Sequence, residues 1–188
     1  MKSFKILTLA ISLILSSCGN SKSDQSLPGG QEDSIAATTS LKVKTDIFND
    51  IEKTKNLLSQ NGISELKTWR SDEMGGFMSI TDYFQFGSTA TGMKNSLAYY
   101  LESDNVGYIR TVELALNINN KGDKKNAITK FKETVEVTFR SLALEIPKGL
   151  SDAITKETNY QADSDTFTTN LKLDKSNIDT WKLIIETK

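Results

Sequence analysis

The strand signal is strongest in Val106-Gly-Tyr-Ile-Arg-Thr-Val-Glu-Leu-Ala-Leu-Asn-Ile118, where apolar and polar side chains alternate. One side of this segment carries Val106, Tyr108, Val112, Leu114, Leu116 and Ile118, interrupted only by Arg110. A period of two over this length predicts a β-strand with one buried face. Asp104-Asn105, directly before the segment, can form a hairpin turn with the strand that precedes it.

A long amphipathic helix is predicted after this strand, over about Lys124–Glu145. Its apolar positions step by three and four residues and comprise Ile128, Phe131, Val135, Phe139, Leu142 and Ile146. Lys121-Gly122-Asp123 separates the helix from the strand, and Pro147-Lys148-Gly149 ends it. An apolar stripe of this length can cover a sheet.

Shorter periodic segments precede and follow this strand and helix in the sequence. The predicted helices are about Asp46–Asn61, with Thr45 or Asp46 as its cap, and one or two turns within Leu150–Lys156. The predicted strands are Leu66–Arg70, Phe77–Phe86 with Met78, Ile80, Phe84 and Phe86 on one side, Ser96–Glu102, Thr166–Leu173 and Ile178–Thr187. Antiparallel hairpins beside helices favour an α+β fold. We expect a two-layer sandwich in which an antiparallel sheet of about five to seven strands packs against two main helices.

The composition excludes several chemistries. The 188 residues include one cysteine and no histidine. A Ser-His-Asp or Cys-His catalytic unit, a His-ligated metal and an intrachain disulfide are therefore impossible. With 23 Lys+Arg and 24 Asp+Glu, the formal net charge of -1 argues against a nucleic-acid partner. The sequence thus predicts a protein that is not an enzyme and holds no cofactor or metal.

The first residues have the pattern of an export signal. Lys2 and Lys5 precede the apolar run Ile6–Leu15. Ten residues of helix span about 15 Å, which is half of a bilayer core and too short to cross it. Leu15-Ser16-Ser17-Cys18-Gly19 then resembles the lipobox of bacterial lipoproteins, which is an aliphatic residue, two small residues and a cysteine.

The resemblance implies that residues 1–17 are a lipoprotein signal peptide and that Cys18 is the lipid attachment site. In that class the thiol receives a diacylglyceryl group and the freed amine can be acylated too, so palmitate-type chains would anchor the protein to a membrane. Gly19 stands where an aspartate would favour the inner membrane. The resemblance therefore favours the outer membrane of the bacterial cell envelope, facing the periplasm or the surface. The alternative is that Cys18 belongs to an ordinary secretory signal cleaved nearby.

Residues 18–42 are expected to form the lipidated cysteine and a flexible tether. They are mostly small and polar, and Leu27-Pro28-Gly29-Gly30 is typical of a turn. A flexible chain of about 23 residues has a root-mean-square reach of about 25–30 Å. Residues 43–188 are then expected to form a single α+β domain, which is large enough for a substantial core.

Paired carboxylates are the remaining candidates for catalysis, but their pattern favours solvated surface charges. Asp72 and Glu73 are adjacent and would point to opposite faces of a strand. Asp163 and Asp165 resemble part of a calcium loop, although its glycine and its distal glutamate are missing.

Aromatic side chains are the candidates for binding. Tyr99 and Tyr100 are adjacent in one predicted strand, so one of them points away from the helices. Trp69, Tyr83 and Tyr108 are expected to reach the same uncovered face. Such a face can bind a protein partner or a small ligand. Cross-strand pairing that only stabilises the sheet would account for the same residues.

Three functions are compatible with these sequence patterns. The first is a non-enzymatic, membrane-anchored lipoprotein whose domain binds an envelope protein, which a contiguous apolar patch on the uncovered sheet face would favour. The alternative is a carrier or sensor of a small apolar ligand, which needs a cavity of about 300 Å³ or more. The third is a hydrolase without histidine, using carboxylates or a serine with a lysine base that converge in one cleft.

Overall fold

The computed structural model describes residues 47–88, 92–175 and 177–188. The helices are α1 (Ile51–Ser59), α2 (Lys124–Ser141) and α3 (Leu150–Lys156). The strands are β1 (Arg70–Ser71), β2 (Phe77–Ile80), β3 (Phe84–Phe86), β4 (Asn95–Ser103), β5 (Thr111–Ile118), β6 (Tyr160–Asp163), β7 (Phe167–Lys175) and β8 (Asp179–Thr187). Cys18, the predicted signal peptide and tether, and the predicted caps Thr45 and Asp46 lie outside these residues.

In the described part of the chain, one antiparallel sheet has the order β1-β2-β4-β5-β8-β7-β6, and β3 also pairs with β4. Together with the helices it makes the fold α+β, as predicted. The sheet has eight strands rather than five to seven. The additional strands arise because Phe77–Phe86 divides into β2 and β3 and because β6 adds a short edge strand. None of the described helices is both long enough and apolar enough to cross a bilayer.

A bulge divides the predicted strand Phe77–Phe86. Ile80 is opposite Tyr100 on β4, whereas Phe84 is opposite Leu97. Between these two pairs, the three residues 81–83 lie opposite only two residues of β4, 98 and 99. One extra residue reverses the facing of every side chain that follows it.

Thr81 stabilises this bulge. Its N–H donates to the Tyr99 carbonyl (3.1 Å), and its hydroxyl accepts from the Tyr99 N–H (3.0 Å) in place of a backbone carbonyl. Because of the bulge, Met78 lies on the same face of the sheet as Tyr100, whereas Phe84 and Phe86 pack against the core. The prediction that Met78, Ile80, Phe84 and Phe86 share one side of a strand is therefore wrong.

The strand predicted over Val106–Ile118 starts later in the structure, because β5 begins at Thr111. Val106 lies in a turn and is 58% exposed. The Ile109 N–H donates to the carbonyl of Phe48 (2.7 Å), which draws this segment towards the helical turn at residues 47–49. Alternation in the sequence cannot reveal such a distant partner.

The core combines one face of the sheet with the apolar stripe of α2. Phe131, Val135 and Phe139 of this helix are buried, as predicted, and the Phe139 ring lies 6.3 Å from that of Phe167. The sheet contributes Leu97, Tyr99, Leu101, Val112, Leu114, Leu116, Ile118, Phe167, Leu171, Trp181, Leu183 and Ile185.

The Tyr99 hydroxyl is buried where β4 meets α1 and α2. It lies 2.5 Å from Thr138 Oγ1 and accepts from Asn61 Nδ2 (3.1 Å). Asn61 Oδ1 accepts from Ser141 Oγ (2.7 Å), so the network also joins the chain beyond α1 to the end of α2. Burial raises the pKa of Tyr99, because a phenolate would lose its hydration in this position.

Replacing Tyr99 with phenylalanine should leave the Asn61 amide without this buried partner. We expect Y99F to lower the free energy of unfolding by about 1–2 kcal/mol in urea denaturation. Tyr100→Phe is the matched control, since it removes the hydroxyl of the adjacent, half-buried residue. It should cost about 0.5 kcal/mol. Equal losses in the two variants would show that the buried network has no special role.

Candidate functional site

A groove of about 970 Å³ opens between α1, the segment that follows α2, and the sheet edge at β6. Its larger apolar lining residues include Leu57, Leu142, Leu144, Ile146, Tyr160 and Phe167. Small-molecule sites usually have volumes of about 300–1,000 Å³ and a mostly apolar lining, so the groove has the size of such a site. Ile47, the first described residue, also lines it.

One wall of the groove exists because α2 ends at Ser141, about a turn earlier than predicted. The Leu144 N–H donates to the Phe139 carbonyl (2.9 Å), as is typical of a helix that ends in a left-handed residue. That residue is Ala143, with a φ of 53°. An alanine pays a steric cost in this region, and it gives no sequence signal for a helix end. Ile146, predicted to continue the buried stripe, is instead 39% exposed at the groove.

The opposite wall is β6, which was not predicted because four residues are too short for a clear alternation. The Tyr160 hydroxyl donates to the Lys148 carbonyl (2.9 Å), which ties β6 to the segment after α2. Ala162 lines the groove and pairs with Thr169 of β7. The two walls are thus joined at one end by a hydrogen bond.

Thr169 lies in the floor of the groove and is fully buried. Its Oγ1 has no hydrogen-bond partner among the described residues. A buried hydroxyl without a partner costs about 1–3 kcal/mol, and such groups in folded proteins call for an explanation. The sequence does not distinguish Thr169 from other strand residues, since its position in the predicted strand Thr166–Leu173 indicates only packing.

The rim of the groove carries both signs of charge. The cations are Lys53 and Lys148, and the anions are Glu145, Asp163 and Asp165. Asp163 Oδ1 lies 3.1 Å from Lys188 Nζ, so its charge is already balanced. The rim therefore has no strong preference for an ion of either sign.

The sheet face that carries Tyr100 is the other candidate surface. Tyr99 and Tyr100 point to opposite faces, as predicted, and the Tyr100 hydroxyl lies 2.9 Å from that of Tyr83. By register, this face also carries Ser96, Ala98, Glu102, Thr111, Glu113, Ala115, Asn117, Thr180, Lys182, Ile184 and Glu186. Most of these side chains are polar or small, which does not favour an apolar docking patch.

Trp69 and Tyr108 do not join this Tyr100 face, contrary to expectation. The Trp69 ring stacks on Phe77, with centroids 6.3 Å apart, and packs against the core. Its Nε1 donates to the Val106 carbonyl (3.1 Å). The Tyr108 hydroxyl donates to Asp104 Oδ1 (3.0 Å) in the turn before β5. Both residues are therefore held by the loops at one end of the sheet.

Glu113 is a partly buried carboxylate of the Tyr100 face. Burial raises its pKa, and Lys182, whose Nζ is 3.4 Å from Glu113 Oε1, offsets part of this shift. Tyr100, opposite Glu113 on β4, also has a raised pKa because of burial and its hydrogen bond to Tyr83. Tyr83, Tyr100, Glu113 and Lys182 thus form a small polar cluster that contains its own hydrogen bond and ion pair.

The other candidate carboxylates fall in two places: Asp72 and Glu73 lie in the β1–β2 hairpin, and Asp163 and Asp165 line the groove. Asp72 Oδ1 accepts from the N–H groups of Met74 and Gly76 (both 2.8 Å), which lowers the pKa of Asp72 and closes the β1–β2 hairpin. Glu73 is exposed in the same hairpin. Asp163 forms an ion pair at the other edge of the sheet. Within the described residues there is no cluster of three or more potential metal-ligating side chains.

The raised pKa of Glu113 gives stability a defined dependence on pH. The unfolded carboxyl titrates near 4.5 and the folded one at higher pH, so the native state binds the proton more tightly. Between those two values, the contribution of Glu113 to stability should fall as the pH rises. We expect Glu113→Gln to remove this part of the dependence in urea unfolding between pH 4 and about 7.

Glu133→Gln provides the control, because Glu133 is an exposed carboxylate of α2 and is not among the charges that act on Glu113. It should leave the pH profile close to that of the wild type. A Glu113→Gln profile parallel to the wild-type one would contradict the proposed burial effect.

No protein-family model matches this chain, and neither a curated protein nor a solved structure matches it. Any proposal for its function consequently rests on its own residues and their geometry.

Proposed function

We propose that this protein is a membrane-anchored lipoprotein of the bacterial envelope whose α+β domain is a non-enzymatic binding module. The groove of about 970 Å³ is the observation that carries the binding role. The lipobox-like sequence Leu15–Gly19 supports the anchor, with Cys18 as the lipid attachment site. Residues 18–42 serve as the tether and residues 43–188 as the domain.

The proposed location is the outer membrane, with the domain facing the periplasm or the cell surface. Gly19 in place of an aspartate supports the outer membrane over the inner one. The formal charge of -1 supports neither electrostatic binding to anionic lipids nor a nucleic-acid partner. Attachment therefore depends on the lipid.

We also propose that the domain is a two-layer sandwich, with α1 and α2 as the main helices on one face of the sheet. The hydrogen bonds of Tyr99 to Thr138 on α2 and to Asn61 after α1 support this arrangement. The contact between the Phe139 and Phe167 rings supports it too. The Tyr100 face is then the uncovered one.

A small apolar ligand is the occupant that the groove favours over an envelope protein. The groove has the volume of a small-molecule site, and its lining includes apolar side chains with charged ones at the rim. A protein partner would more naturally use a broad apolar surface, but the Tyr100 face is largely polar. The domain would therefore act as a carrier or sensor, with an envelope protein as a further partner.

A binding role without catalysis agrees with the placement of the charged groups. Asp72 and Asp104 are engaged in local turns, and Asp163 is paired with Lys188. General acid–base chemistry needs two such groups to converge on one substrate. Asp163 and Asp165 both line the groove, but Asp163 is engaged by Lys188, which supports a binding module over a hydrolase.

Lipidation can be tested by replacing Cys18 with alanine in a bacterial host. We expect C18A to lose metabolic labelling by an alkyne fatty acid and to leave the membrane fraction, because the thiol is the point of attachment. Ser17→Ala is the matched control, since it keeps a small residue in the lipobox and should label normally. Labelling of C18A at the wild-type level would contradict the anchor.

Ligand binding can be tested by filling the groove. Ala162 lines the groove, whereas Gln161 lies beside it on the other face of β6. We expect A162F to reduce the affinity for Nile red, an uncharged apolar dye, by at least about tenfold because the ring occupies the site. The control Q161F should bind as the wild type does. Equal binding by both variants would place the dye elsewhere and count against the groove.

A further inference from the structure

Two exposed apolar side chains lie at the end of the sheet where β2 begins and β4 ends. Met74, in the β1–β2 hairpin, is 92% exposed, and Val106, in the turn after β4, is 58% exposed. Phe77 pairs with Ser103, the last residue of β4, so the hairpin and the turn leave the sheet at the same end. A Cβ atom at residue 76 would lie 3.1 Å from the Ser103 carbonyl oxygen, so the hairpin packs against the end of β4.

Two aromatic rings extend this apolar region. The Trp69 ring stacks on that of Phe77, with centroids 6.3 Å apart, and both side chains are only partly buried. Trp69 Nε1 donates to the Val106 carbonyl (3.1 Å), which places the indole beside the turn. Trp69, Met74, Phe77 and Val106 together form the hairpin-end surface. Aromatic residues and methionine are enriched in protein interfaces, and grouped apolar side chains on a surface mark interaction sites.

Polar side chains order both loops of the hairpin-end surface. Asp72 Oδ1 accepts from the N–H groups of Met74 and Gly76 (both 2.8 Å). In the turn after β4, Asn105 Oδ1 accepts from the Gly107 N–H (2.8 Å). A surface that is ordered before binding loses less conformational entropy when a partner docks. The hairpin-end surface is therefore preorganised for an interaction.

Negative charge predominates around the hairpin-end surface. The charged residues at this end of β2 and β4 are Asp72, Glu73, Glu102 and Asp104, with Arg70 and Arg110 as the cations. Arg110 is already engaged by Asp104 and Glu186, with N–O distances of 3.2 Å in both pairs. Glu73 and Glu102 are exposed and form no ion pair within the described residues. A partner that brings cations to this rim gains electrostatic complementarity.

We infer that the hairpin-end surface binds a protein segment in which an apolar anchor residue is flanked by lysine or arginine. The anchor packs against Met74, Val106 and the two aromatic rings, and the flanking cations face Glu73 and Glu102. None of these residues lines the groove. The inference therefore adds a protein-binding surface to the proposed small-ligand role and does not depend on that role.

An anionic membrane is a poorer partner for this surface. Segments that enter the bilayer interface combine apolar side chains with lysine or arginine, which anionic headgroups attract. The carboxylates of Glu73 and Glu102 would be repelled by such headgroups. The same carboxylates attract a basic protein segment, so the charge distribution distinguishes the two occupants.

The test measures the fluorescence anisotropy of two labelled peptides with the purified full-length protein. One peptide alternates lysine and leucine, and the other alternates glutamate and leucine. We expect the wild type to bind the lysine peptide at least about tenfold more tightly. Met74→Ser should weaken this binding by about fivefold or more, because the anchor loses an apolar contact. Met93→Ser is the matched control, since Met93 is 71% exposed and lies before β4, at the opposite end of that strand.

A second pair of variants tests the role of charge. Glu73→Gln should weaken binding of the lysine peptide by about two- to fivefold and reduce its dependence on salt. Glu133→Gln removes an exposed carboxylate of α2 and should leave both the affinity and the salt dependence unchanged.

The outcomes separate this surface from the groove and from a membrane site. Equal losses in M74S and M93S, or equal or undetectable binding of the two peptides by the wild type, would overturn the inference. Loss of lysine-peptide binding in A162F but not in M74S would place the peptide in the groove and refute it. If M74S lowers co-sedimentation with phosphatidylglycerol vesicles and leaves peptide binding unchanged, the surface contacts a membrane and the inference is wrong. Nile red binding by A162F and Q161F tests the groove separately.

Discussion

The Tyr99 hydroxyl is buried and needs hydrogen-bond partners, and this requirement ties β4 to α2 and to the chain that follows α1. Asn61 and Thr138 satisfy it directly, and Ser141 extends the network to the last residue of α2. The end of α2 is thereby set against the chain that leaves α1. The left-handed turn at Ala143 follows two residues later and creates one wall of the groove. The site thus depends on a polar contact in the core.

Local periodicity predicted the elements that bury one face along their whole length. β4, β5, β7, β8 and α2 belong to this group, and they carry most of the core. Local periodicity failed to predict the structure where a residue distant in sequence decides the local conformation. The bulge at Thr81 depends on the backbone of Tyr99, and the turn before Thr111 depends on the carbonyl of Phe48. Neither partner leaves a trace in the neighbouring sequence.

The candidate site was harder to predict than the fold, for a physical reason. The groove is formed by an early helix end and a four-residue edge strand, and Thr169 lines it. Ala143 is a residue that favours helix, and Thr169 is an ordinary residue for a strand. The aromatic residues that drew attention in the sequence are largely occupied, since Tyr99 and Trp69 serve the core and its edge. The features that form the groove therefore leave little signal in the sequence.

The position of β8 has a consequence for the order of events during synthesis. This strand, residues Asp179–Thr187, lies between β5 and β7 and joins the two halves of the sheet. A ribosome delivers the chain from its amino end, so the sheet stays divided until this late segment emerges. Pairings between strands so far apart in sequence also form slowly. Until then β5 and β7 each present an unpaired edge, which is the kind of surface that can pair with another chain.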